Sequence, residues 1–366
     1  MKKCVWIVLL IVLSIAMLLG GCTNKQPTQS LLEEGEVPEE VSEEVPEEVF
    51  QLTYSDWGPE QIDVGQAAIR AIEMAEERSN GRIEITPYFS ETLVKFEDAF
   101  SAVATGVTDM SMYVSTFSMG IHDLNLIFHR LFAEEAPDIR GLSRVYQELL
   151  KNVPEIQEEM EKTGVRWLNI YALVGSNLHT SNKLVKMPED IRGIKIQSYG
   201  DVSLMVNNLG GAAIEVPPND WYMGFERGLF EGQFMHWPGI ESFKLLELIN
   251  NHTMFGVGGM TSSGIGTLVN FETWNSLPPD IQEILADTFQ LSTEDVIAGN
   301  IEQCERMLKE AEEKNNTIVY LTPEEIQLWG EHFTPVNEKW IEETEAKGWP
   351  ARQAYDELIR LFREYK

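Results

Sequence analysis

MPEDIRGIKIQSYG (residues 187–200), the segment closing on NNLGG (207–211), and AAIEVPPNDWYMGFERGLFEGQFMHWPGIESFK (212–244) decide the fold of this chain. Ile194 to Ser198 and Gln233 to Trp237 are short apolar-rich runs that read as strands. Val202 to Leu209 between them has helical spacing, and Asn219 or Asp220 stands where a cap opens a further helix. The same rhythm runs toward the N-terminus. Phe50 to Ser55 reads as a strand, and Ala67, Ala68, Ala71, Ile72 and Ala75 recur on one helical face that Ser79-Asn80-Gly81 ends. Ile83 and Ile85 alternate as a second strand, Phe96 to Val103 reads as a helix, and Asp109 to Val114 is a third strand. A helix from about Asp138 to Leu150 and a strand from Val165 to Leu173 follow. Gly106 and Gly228 each end a helix just before a strand, where a left-handed turn suits glycine. A long helical run starts near Ile281 and extends to Glu313, and helices resume from Pro323.

This alternation predicts an α/β fold with largely parallel sheets. Residues 50–366 exceed one ordinary core, so two lobes with a ligand cleft between them are expected. The first takes 50–174 with about 263–300, and the second 175–262 with about 301–366. Open parallel sheets bind ligands at the carboxyl ends of their strands. Tyr113, Gln197, Tyr199, Met235, His236 and Trp237 stand at such ends. For the aromatic residues among them, core packing is the competing reading.

The first 21 residues read as a secretory signal: Lys2 and Lys3, an apolar run from Val5 to Leu19, then Gly20-Gly21-Cys22. Leu19 to Cys22 resembles a bacterial lipobox, with Cys22 as the lipid-bearing residue; an uncleaved anchor helix is the alternative. Residues 22–49 are an acidic tether containing LLEEGEVPEEVSEEVPEEV, which charge and proline keep extended. The bulk of the chain is therefore expected outside the cytoplasm, in a periplasm or on the outer face of the cell membrane. The net charge of −31 argues against a nucleic-acid partner. Cys304 would be the lone thiol of the mature chain, so no intramolecular disulfide can form in it. No metal site or cofactor is expected, because the histidines and cysteines lack ligand spacing.

ITPYFSETLVKFEDAFSAVATGVTDMSMY (85–113), HTSNKLVKMPEDIRGIKIQ (179–197), LGGAAIEVPPNDWYMGFERGLFEGQ (209–233) and ETWNSLPPDIQEIL (272–285) together resemble the substrate-binding proteins of TRAP (tripartite ATP-independent periplasmic) transporters, the family of the C4-dicarboxylate receptor. The resemblance spans about Leu52 to Trp349. It implies a two-lobed periplasmic-binding-protein-like fold, a long connecting helix, an enclosed small organic solute, and delivery to a TRAP permease in the membrane. It also implies an arginine that pairs with a ligand carboxylate, and that position is Gln197. A second position, basic in some members, is Asn177, and one that often holds asparagine is Met235. Glutamine and asparagine donate hydrogen bonds without charge, so a simple carboxylate ligand is in doubt. Trp57, Tyr113, Tyr199, Trp221 and Trp237 offer flat faces for a neutral, zwitterionic or aromatic solute. Lys95, Arg130 and His236 are the cations that could hold an acid differently.

No enzyme is expected: the chain lacks Gly-x-Ser-x-Gly, HExxH, a phosphate loop and a dinucleotide fingerprint. A receptor feeding a membrane histidine kinase is the alternative to transport, and adhesion is a third reading.

Overall fold

The computed structural model describes residues 48–132, 134–217 and 220–366. The signal segment, Cys22, nearly all of the tether, and Asn219 lie outside the described residues. Among those described, no helix is long and apolar enough to cross a membrane.

The first part of the chain forms β1 (Phe50–Ser55), α1 (Asp63–Arg78), β2 (Ile83–Tyr88), α2 (Ala99–Ala104), β3 (Met110–Val114), α3 (Ile139–Asn152), α4 (Glu155–Glu161) and β4 (Val165–Ala172). The next part forms β5 (Asn177–Thr180), β6 (Lys195–Gln197), α5 (Gly200–Asn208), β7 (Ala212–Ile214), α6 (Trp221–Glu226), β8 (Gly232–Met235), α7 (Trp237–Ser242) and β9 (Asn251–Met254). The chain then continues through β10 (Gly264–Asn270), α8 (Phe271–Ser276), α9 (Pro279–Glu313), β11 (Thr317–Tyr320), α10 (Pro323–Glu345) and α11 (Ala351–Tyr365). Gly106 and Gly228 take the expected left-handed conformation, with φ of +72° and +67°.

Two sheets result, ordered β2-β1-β3-β10-β4 and β11-β9-β5-β8-β6-β7. Each is parallel apart from one reversed strand. β10 runs antiparallel to β3 and β4, and β5 antiparallel to β8 and β9. Both sheets are thus largely parallel, as expected, and the two reversed strands are those that cross between them. Their direction follows from the path of the chain. β4 leaves the first sheet at its carboxyl edge and enters the second as β5. β9 leaves the second sheet the same way and enters the first as β10. A strand that arrives at another sheet's carboxyl edge must run against its neighbours. The carboxyl edges of the two sheets therefore meet at the crossing.

The crossing segments are tied together. Ser176 N–H donates to the Thr261 carbonyl at 2.7 Å, Met260 N–H to the Ser176 carbonyl at 2.8 Å, and Leu173 N–H to the Ser263 carbonyl at 2.8 Å. Gly175 lies so close to Gly258 and Gly259 that any side chain there would strike their backbone.

Packing differs from the expected lobe division at the C-terminus. α9 is about 52 Å long at 1.5 Å per residue. Its Ile281, Leu285, Phe289, Val296 and Ile297 join the core beneath β1, while Met307 and Ala311 pack with Trp221 and Trp237 of the second lobe. α10 also bridges: Trp329 and Phe333 pack with Ile196 and Phe255, but Trp340 and Ile341 pack with Phe128 and Leu142. α11 lies wholly on the first-lobe side, with Leu358, Leu361 and Phe362 against the α3 core. Assigning all of 301–366 to the second lobe therefore fails for α11. Its apolar stripe shows that it is buried, not against which core.

Candidate functional site

The carboxyl edges that meet at the crossing bring the candidate residues to one region. On the first-lobe side, β1 ends just before Trp57, which is exposed and meets Phe96 edge-on with ring centroids 5.0 Å apart. Phe96 in turn meets Phe117, just past β3, at 4.4 Å. Met119 follows and touches Gly200 at the start of α5, so this aromatic wall adjoins Tyr199 of the second lobe.

On the second-lobe side, register sets Ile318, His252, His179, Gln233, Gln197 and Ile214 in one row across all six strands. Residues paired across neighbouring strands share a face. His252, His179 and Gln233 are 0 % exposed and Gln197 2 %. Trp237 lies over both histidines, with ring centroids 5.0 and 4.8 Å away.

The hydrogen bonds determine both imidazole tautomers. His179 Nε2 faces the Met235 carbonyl at 3.0 Å and must donate, which leaves its Nδ1 as acceptor. His252 Nδ1, 2.7 Å away, is then the donor. Its Nε2 accepts from Asn316 Nδ2 at 3.0 Å, and the Asn316 amide is itself oriented by donation to the Ile249 carbonyl at 2.9 Å. The chain runs from Asn316 through both neutral rings to Met235. A proton added to either ring would set two donors face to face. Burial and the neighbouring ring hold His179 well below the ordinary imidazole range, and burial pushes His252 down to about 4.

Gln197 is held more loosely: its Nε2 is near enough to the Tyr199 hydroxyl to temper the rise that burial gives that phenol, yet it makes no bond of ordinary hydrogen-bond geometry among the described residues, and both amide atoms of Gln233 are buried without a partner. Tyr199 is partly buried beside Gln197, its hydroxyl donating to the Val216 carbonyl. Met235 and Trp237 are buried in the same cluster as Trp221.

Three candidates have internal partners. Tyr113 packs in the first-lobe core, its ring 5.8 Å from Trp167 and its hydroxyl 3.4 Å from Ser118 Oγ; burial pushes that phenol up to about 12. Asn177 Oδ1 accepts from Phe255 N–H at 2.8 Å and so ties the crossing segments. His236 Nδ1 accepts from Gly239 N–H at 3.0 Å, capping α7. The strand read through Trp237 stops at Met235, and Pro238 lies in the first turn of α7. Of the cations weighed for an acid, Arg130 meets Asp201 at 2.7 Å through Nη2 while its Nη1 is buried without a partner among the described residues, and Lys95 is exposed and forms no ion pair among them.

Sequence reading missed Gln233, the histidine pair, Phe96, Phe117 and Asp201 as parts of this region. Alternation from Met235 would have placed Gln233 on the same strand face. The histidines, 73 residues apart, meet only through strand register.

Two α/β lobes joined by crossing strands, with aromatic and amide side chains at their facing edges, define an extracytoplasmic solute-binding protein. The chain belongs to the bacterial extracellular solute-binding protein family 7 (DctP), whose family model matches residues 55–344. It is similar to the C4-dicarboxylate-binding periplasmic protein DctP of Rhodobacter capsulatus, 24 % identical over 283 residues and covering 76 % of this chain and 82 % of that one. It is also similar to the ectoine-binding periplasmic protein TeaA of Halomonas elongata, 25 % identical over 284 residues with 75 % and 73 % covered. Among solved structures, a TRAP periplasmic solute-binding protein from Desulfovibrio salexigens matches with a TM-score of 0.74 at 19 % identity, covering 86 % of this chain and 96 % of that one. A TRAP solute-binding protein from Rhodoferax ferrireducens in complex with copurified benzoate matches at 0.73 and 20 % identity, with 87 % and 98 % covered. The chain is thus a solute receptor of TRAP transporters, with the expected two-lobed fold and long connecting helix. Neither the family nor the fold lends support to the histidine-kinase reading.

Proposed function

We propose that this receptor encloses a small organic solute between Gln197, Tyr199 and Trp237 on one lobe and Trp57 on the other, and that the solute is not a simple carboxylate. The observation that carries this is Gln197. It is 2 % exposed, its Nε2 is unpartnered, and it stands where the family resemblance implies an arginine. Of the cations that could compensate, Arg130 faces Asp201 and has only its buried Nη1 without a partner among the described residues, His236 is turned into its helix cap, and Lys95 stays exposed on the first lobe. A carboxylate at the Gln197 position would lack the charge-assisted bond an arginine there would supply, roughly twice as strong as a neutral hydrogen bond. The relatives' ligands run from C4-dicarboxylates to ectoine, so membership of the family does not choose between them.

The test is a melting-temperature screen of the protein against acids, amino acids, polyols and aromatic solutes, since a ligand of the native state must raise it. Stabilisation by simple dicarboxylates or 2-oxo acids alone would overturn the reading. Gln197→Arg is expected to weaken binding of the native solute at least ~10-fold, because it buries a charge without a partner. Unchanged affinity would place Gln197 outside the site.

The solute would pass to the membrane subunits of a TRAP permease, with the receptor held at the membrane by a lipid on Cys22. The Leu19 to Cys22 motif supports this anchor. Incorporation of labelled fatty acid into the protein is expected and should be abolished by Cys22→Ser; an unlabelled wild type, or labelling that survives the substitution, would refute the anchor.

A further inference from the structure

We infer that Gln233, beside Gln197, makes this site a reader of amides: the solute presents a neutral, planar amide edge, as in a primary carboxamide, a lactam or a cyclic imide. This rests on the Gln197 site proposed above and names the solute class it would take.

Gln233 is fully buried on β8, and both its Nε2 and its Oε1 lack partners among the described residues. Its neighbour in the row on one side, His179, has no capacity left: Nδ1 meets His252 and Nε2 meets the Met235 carbonyl. Its neighbour on the other side is Gln197, whose Nε2 is also unpartnered. Adjacent strands lie about 4.8 Å apart, so one small group can reach both side chains. Buried amides are nearly always hydrogen-bonded, and each exception needs a cause.

A single amide group satisfies all three atoms. Its carbonyl oxygen has two lone pairs and accepts from Gln233 Nε2 and Gln197 Nε2, while its N–H donates to Gln233 Oε1. Exchanging the nitrogen and oxygen of Gln233 leaves the requirement unchanged, because either orientation presents one donor and one acceptor. A carboxylate accepts from the donors but sets its charge against Oε1. The rings of Trp221, Trp237 and Tyr199 nearby suit a planar solute.

The experiment uses the full-length protein and matched probes: benzamide against benzoate, 2-pyrrolidinone against cyclopentanone, and erythritol as a polyol. Calorimetry is expected to show each amide binding at least ~10-fold tighter than its partner probe, the discrimination of a buried polar group left unpaired by the wrong ligand. In Gln233→Leu that preference should disappear without a fall in the melting temperature of the ligand-free protein, since the variant removes two unpartnered buried atoms. If the variant does not fold, the paired probes on the unmodified protein decide alone. Tighter binding of benzoate, binding of erythritol only, no binding of either amide, or a preference that survives Gln233→Leu would each overturn the inference. A different solute whose binding still depends on Gln197 would sink the amide reading and leave the Gln197 site standing. Solute binding that ignores Gln197 would sink both.

Discussion

Asp201→Ala is expected to cost about 3–5 kcal/mol of folding stability, because it leaves a guanidinium buried with no counter-charge. Arg130 is 1 % exposed; its Nη2 meets Asp201 Oδ2 at 2.7 Å, its Nε donates to the Leu126 carbonyl at 2.8 Å, and its Cζ lies over Trp340, 4.4 Å from the ring centroid. Burial lowers the pKa of this group and Asp201 opposes that shift, yet an arginine stays charged at any ordinary pH. The pair also spans the lobes. Arg130 follows Leu124, Ile127 and Phe128 of the first-lobe core, whereas Asp201 opens α5, whose Val202, Met205 and Val206 lie in the second-lobe core. Arg130→Met should cost less, because Asp201 is 27 % exposed and can rehydrate. The double variant should recover much of the loss, as apolar replacements of buried ion pairs often do. A double-mutant cycle in urea measures the coupling, and a value below about 0.5 kcal/mol would contradict this account. Because the pair bridges the lobes, solute affinity should fall together with stability.

Acid is expected to unfold the protein through its buried histidines. Burial pushes His122, His236 and His252 down to about 4, holds His179 well below its usual range, and with Arg130 nearby lowers His129. In the unfolded chain each takes up a proton near pH ~6.5. Stability is therefore complete above that value and falls as the pH drops through the window toward about 4. Two buried carboxyls act oppositely. Asp56, hydrogen-bonded to Gly58 N–H, is pushed up to about 6 by burial, and Glu159 is also raised. The folded state protonates these first, which restores some stability as the pH falls. Five imidazoles outweigh two carboxyls, so unfolding takes up protons on balance and stability falls with pH through this window. Unfolding free energies should be nearly level above about pH 7 and fall from there to about pH 4.5, and His179→Gln should make the fall shallower by at most about 1.4 kcal/mol per pH unit. A flat profile down to about pH 5 would refute it.

The chain path was largely legible in the residues. Ala67 to Ala75 repeat with helical period, and the segments around Ile83 and Ile196 fall in strands. Gly106 and Gly228 mark turns that can be read from their own residue type. Such signals depend on neighbours within one turn or one pleat, so the sequence carries them directly. The class of protein was legible for the same reason, because the order of these local signals along the chain is itself specific. Gln197 was legible as a departure from an expected arginine.

What the sequence could not express is which distant residues share a face. Strand register makes Gln197 the neighbour of Gln233 and His179 the neighbour of His252. The crossing reverses β5 and β10, and it puts Asn177 into the joint between the lobes. Tertiary packing gives Arg130 to Asp201 and α11 to the first lobe. By itself the sequence determined the elements, their order and the receptor class, since each follows from short-range periodicity and residue type. The tertiary structure decided which polar groups are buried together and which are left unpartnered, because those contacts join residues that no local period connects.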